Sequence, residues 1–114
     1  MMKEWKKFLN EQSEDAEQVV EIGFESSCML YYDKEIRKQK YILNSIREVA
    51  GVRIVTVTTP TVAKGAKQAV GVTIKFSPFR HKNTVSYIAF LKQSILTVKG
   101  VNTITFLRTT KVQL

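Results

Sequence analysis

Apolar positions along the chain switch between a period of two and a period near 3.6, and each switch marks an element. Over residues 19–32, Val20, Ile22 and Phe24 alternate against Glu21 and Glu25. Tyr31 and Tyr32 favour a strand and Gly23 disfavours a helix, so this segment predicts a strand bent near Ser26-Ser27. A helix is the competing reading. Asp33 then offers an N-cap to a helix whose stripe is Ile36, Leu43, Ile46 and Ala50, widened by Ile42 and Val49. Lys34, Arg37, Lys38, Lys40 and Arg47 fall off that stripe. Gly51 stands where a helix ends, and Val52–Thr59 is a β-branched run stopped by Pro60. Residues 60–68 predict a loop with a basic tip. Residues 69–77 alternate again, with Val70, Val72, Ile74 and Phe76 opposed to Thr73 and Lys75. After Pro78 and a basic connector, Asn83 or Thr84 caps a second helix with Val85, Ile88, Leu91 or Lys92, and Ile95 on its stripe. Gly100 ends that helix, and residues 101–110 predict a last strand.

The two helix-to-strand junctions share a frame. Residues 46–52 read I-R-E-V-A-G-V and residues 95–101 read I-L-T-V-K-G-V. Each states a last helical turn, a glycine free of the Cβ clash at positive φ, and an immediate strand. Two β-α-β units joined in tandem predict an α+β, ferredoxin-like βαββαβ fold, a four-stranded antiparallel sheet with both helices on one face. The expected order is 4-1-3-2, which leaves the second and fourth strands at the edges. Val55 and Val57, with Ile104 and Phe106, are expected to face the helices, while Ile54, Thr56 and Thr58, with Thr103, Thr105 and Leu107, take the other face. Exposed edges invite a further strand, so Arg53 and Arg108 become candidate partner-binding residues.

Ahead of this domain (residues 19–114) lies a segment of different character. In residues 1–18, Trp5, Phe8 and Leu9 share one face of a short amphipathic helix, followed by an acidic linker. Such a helix needs a partner surface to be stable, so the three residues are candidate contacts. Charge sharpens this division. Residues 1–25 hold three basic and seven acidic residues, whereas residues 26–114 hold fifteen basic and three acidic ones. The overall charge of +8 therefore belongs to the body. Lys64, Lys67, Lys75, Arg80 and Lys82 are candidate contacts to a polyanion, with non-specific, salt-sensitive nucleic-acid binding as the alternative function.

The chain of 114 residues, 44% hydrophobic and 25% charged, fits one globular domain. No apolar run is long enough for a membrane span, and no h-region for a secretory signal follows the first residues. A single Cys28 and a single His81, with no CxxC or HxxxH spacing, suggest neither metal nor cofactor. Cys28 reads as a buried inert thiol and His81 as an exposed loop residue. Lys64-Gly65-Ala66-Lys67 lacks the spacing of a phosphate-binding loop. The third predicted strand carries only Phe76 as an aromatic, on the core side, which disfavours an RNA-recognition motif. An ACT-like ligand sensor shares the element order but expects a Gly or Pro turn where Tyr31-Tyr32-Asp33-Lys34 stands. An enzyme is not expected.

Met2-Lys3-Glu4-Trp5-Lys6-Lys7-Phe8-Leu9-Asn10-Glu11 resembles the start of many proteins of T-even-like tailed bacteriophages, M-K-x-aromatic-x-x-Phe-[LI]-x-E. In internal head proteins such a segment directs packaging, and the prohead protease cuts after L-x-E, the pattern of Leu9-Asn10-Glu11. The rest of the chain resembles small ferredoxin-like proteins of tailed phages. The resemblance implies a non-enzymatic structural component of the virion, located there or in the host cytoplasm. Its contacts would be to protein partners or to copies of itself through edge strands and the N-terminal arm.

Overall fold

The computed structural model describes residues 21–78, 81 and 83–114. The expected N-terminal helix with Trp5, Phe8 and Leu9 lies outside them, as do Arg80 and Lys82. The described chain is α+β. Its elements are β1 (Ile22–Asp33), α1 (Gln39–Arg47), β2 (Val52–Val57), β3 (Val62–Lys64), β4 (Lys67–Phe76), α2 (Thr84–Leu96) and β5 (Val101–Gln113). All strand pairings are antiparallel, in the order β2-β4-β1-β5, with β3 also on β4.

The period-two segments bury the face that alternation assigns them. Cys28, Leu30 and Tyr32 of β1, Val70, Val72, Ile74 and Phe76 of β4, Val55 of β2 and Ile104 of β5 form one core with the helices. Val57, expected on this face, is exposed at the edge. The helices contribute Ile42, Leu43 and Ile46 from α1 and Tyr87, Leu91 and Ile95 from α2. Each such aliphatic side chain taken from water is worth about 1.5–3 kcal/mol. Phe76 anchors the aromatic part of the core, stacked on Tyr87 at 4.7 Å and on Phe24 at 5.9 Å. The bend expected in β1 is a register shift against β5 between Ser27 and Cys28.

The repeated glycine junctions are superposable in their bonding. Gly51 has φ 94° and Gly100 φ 95°. In the first, Val49 N–H donates to Ile46 C=O and Val52 N–H to Val49 C=O; in the second, Val98 N–H donates to Ile95 C=O and Val101 N–H to Val98 C=O. Each glycine then ties to the opposite half. Gly51 C=O accepts from Ser77 N–H, just after β4, and Gly100 C=O accepts from Asp33 N–H, at the end of β1, both at 2.9 Å.

Four expectations need correction. Asp33 does not cap α1, which starts at Gln39 after an extended Lys38. Asp33 Oδ1 instead accepts from Glu35 N–H at 2.9 Å, and its carbonyl accepts from Ile36 and Arg37 N–H, so residues 34–37 form a turn. Ile36, in that turn, is therefore exposed rather than on a buried stripe, and Ala50 is exposed because α1 ends at Arg47. On α2, Val85 is solvent-facing and Tyr87 takes the core position, because its hydroxyl donates to Ala50 C=O at 2.7 Å and satisfies its only polar atom. Residues 60–68 are not all loop: β3 and the start of β4 make a hairpin around Gly65-Ala66, with Gly65 at φ 63° as two-residue hairpins favour. His81 is half-buried, its ring against Tyr87 and Phe90.

Candidate functional site

Four surfaces follow from this architecture: two sheet edges, an open sheet face, and a basic corner. Both ends of the strand order are edges, but they differ in kind. β2 is six residues long, carries a register irregularity at Arg53, and shares its side of β4 with β3. Arg53, expected as a partner contact, is instead engaged within the chain: Nη1 and Nη2 donate to Glu21 Oε1 and Oε2 at 2.7 and 2.5 Å. This fork holds the Glu21 carboxyl below its ordinary range and pushes the guanidinium higher still, mainly through the hydrogen bonds themselves. β5 is thirteen residues long, and among the described residues nothing pairs with its outer side. Arg108 lies exposed on it, opposite Ser27, and the neighbouring Leu107 is 62% exposed at the register shift.

The helix-free face is polar and nearly flat in composition. Across it run the rows Ile54, Lys75, Glu25, Thr110 and Thr56, Thr73, Ser27, Arg108, followed by Gly71, Met29, Thr105. Hydroxyl and charged side chains dominate because this face has no helix to bury it.

The expected cation stripe is only partly assembled. Lys64 and Lys67 face each other at the base of the hairpin and are exposed. Lys75 sits eight residues along β4, roughly 27 Å away by strand rise, in register with Glu25. Arg53 and Arg108 occupy opposite edges, three strand spacings or roughly 14 Å apart.

A denser cluster lies elsewhere. The β1–α1 turn, the start of α1 and the α2–β5 junction border an open recess of about 440 Å³ lined by Lys34, Glu35, Ile36, Arg37, Lys38, Tyr41 and Lys99. Its frame is pinned from two sides: Asp33 N–H donates to Gly100 C=O, and Lys34 N–H to Ala66 C=O at 3.0 Å. The chain at Arg37 passes Gly100 so closely that a Cβ there would stand 2.8 Å from the Arg37 Cβ. Sequence reading scattered Lys34, Arg37 and Lys38 over a helix surface and left Lys99 apart. The signal that would have joined them is the glycine repeat itself, since pairing of two βαβ units places Lys99-Gly100 beside the end of the first strand.

The remaining reactive groups are enclosed. Cys28 is buried, and burial pushes its thiol up to about 12. Tyr87 is pushed up to about 12 by the same cause. Among the described residues no three of His, Cys, Asp and Glu come together as metal ligands, and no helix is long and apolar enough to cross a membrane. No protein-family model matches the chain, and no curated protein matches it.

Proposed function

We propose that the protein is a non-enzymatic interaction module of ferredoxin-like build that accepts a further strand on β5. With the short β3 set aside as an extension of the β2 edge, the order β2-β4-β1-β5 and the paired glycine junctions support the two-βαβ reading. The observation that carries the function is the contrast between the edges, one short, irregular and tied down, the other thirteen residues long and open. A long open edge offers main-chain donors and acceptors as a template for another strand. In the absence of a partner, a second copy fits the same edge. Antiparallel pairing about Leu107 sets Arg108 opposite Phe106 and Lys111 opposite Thr103, so no two cations meet. The N-terminal resemblance to T-even-like phage proteins supports a structural place in a virion, with the N-terminal arm as a second contact.

Light scattering across a concentration series tests the reading. Association that rises with concentration and is abolished by Thr105→Lys with Leu107→Lys is the expected result. A chain that stays monomeric throughout and captures no strand or particle component contradicts it.

A further inference from the structure

We infer that the recess at the β1–α1 turn is a binding site for a phosphate-bearing nucleotide. Four cations, Lys34, Arg37, Lys38 and Lys99, line it against the single carboxylate of Glu35. They come from two segments, residues 34–38 and the α2–β5 junction at Lys99, which the fold holds together through main-chain bonds, so the concentration of charge is a built feature and not one solvated helix face. Among the described residues, none of the four has a carboxylate within salt-bridge distance. Arg37 is the most telling. Its Nε is buried with no acceptor among the described residues, so the guanidinium charge is not answered within the fold. The α1 start adds to the same field, with no side chain capping it and no acidic residue in its first turn.

The rest of the lining decides between a bare anion and a nucleotide. Ile36 and Tyr41 are about half exposed in the same recess, at 52% and 48%. A flat aromatic and an aliphatic surface beside clustered cations suit a ligand that joins a ring to phosphate. This site is remote in composition from the β5 edge and stands or falls independently of strand pairing.

An amide NMR titration of the full chain with ADP, tripolyphosphate and a short 5′-phosphorylated thymidine oligonucleotide tests the assignment. ADP is expected to shift the amides of residues 34–41 and 99–100. Arg37→Met with Lys99→Met should weaken it by about tenfold or more. Tyr41→Ala should weaken ADP while leaving tripolyphosphate unchanged. Should the double variant lose its dispersed spectrum, Lys34→Gln with Lys38→Gln, both at exposed positions, serves the same purpose. Response to ADP alone assigns a free nucleotide; tighter binding of the oligonucleotide at the same amides assigns a nucleic-acid end. Absent shifts, shifts confined to other surfaces, or equal affinity of the charge variants overturns the site. Indifference of ADP to Tyr41→Ala overturns the nucleotide and leaves an anion site without base recognition.

Discussion

The β1–α1–β2 half and the β4–α2–β5 half share a backbone device and finish it differently. In each, a positive-φ glycine ends the helix and its carbonyl accepts from a residue at the end of the other half's first strand, Ser77 just after β4 or Asp33 closing β1. Over Gly51 the space is filled by Tyr87, whose ring stacks on Phe76 and whose hydroxyl is satisfied by Ala50. Over Gly100 it is filled by Arg37, whose Nε is buried without an acceptor. One corner is closed by an aromatic cluster that also takes in His81 and Phe90, the other opens into a cationic recess. The same division extends outward: β2 is short and bound through Arg53, β5 long and bare. Matching frames therefore end in a packed aromatic corner on one side and an open cationic corner on the other.

Substitutions at the two corners should separate these roles. Tyr87→Ala is expected to cost about 3–5 kcal/mol in urea unfolding, because it empties a fully buried aromatic site. Arg37→Met should stay within about 1 kcal/mol, since it removes a charge whose Nε lacks a partner. Equal losses would erase the distinction. The glycines give a finer version. Gly51→Ala should cost about 2–4 kcal/mol, as its methyl meets Ser77 C=O at 2.5 Å and the Tyr87 ring in addition to the positive φ. Gly100→Ala meets only Arg37, and a smaller cost of about 1–3 kcal/mol is expected from thermal unfolding.

The helix starts differ in the same sense. Asn83 Oδ1 accepts from Ser86 N–H at 2.8 Å, so Asn83→Ala should destabilise by about 1 kcal/mol. Lys38 supplies no such bond, and Lys38→Ser should stabilise by about 0.5–1 kcal/mol while weakening anion binding.

Titration separates the buried groups from the exposed ion pair. Tyr87 and Cys28 keep their protons in the fold to about 12, against ordinary values of 10.0 and 9.0. The unfolded chain thus ionises first. Stability is full below those ordinary values and falls as pH rises toward 12, a decline that Tyr87→Phe should make shallower in alkaline denaturation. Glu21 has the opposite sign. Its folded value is depressed by Arg53, so its contribution is present above the ordinary 4.5 and is lost as pH falls through the folded value. Both groups are exposed, so Glu21→Gln should flatten the acid limb only slightly, and less in high salt.

Legibility in the sequence followed the strength of each local signal. Val70, Val72, Ile74 and Phe76 were readable because strict alternation has one solution, and all four are fully buried. The glycine junctions were readable because one backbone conformation requires that residue. The α1 start was not, since an Asp followed by periodic residues serves an Asx turn as well as a cap, and hydrogen bonding to Glu35 decided it. Tyr87 was missed because its hydroxyl weighs against burial until Ala50 is known to lie above it. The basic recess was missed because it joins residues some sixty positions apart, which only the pairing of the halves brings together.

Amide hydrogen exchange on the two outer edges, recorded at dilute and concentrated protein, addresses the central assignment most directly. Protection of the outward amides of β5 with rising concentration or added partner, while those of β2 keep their dilute rates, is the predicted outcome. Association that leaves the β5 amides exchanging as fast as before would place the contact elsewhere and contradict the account.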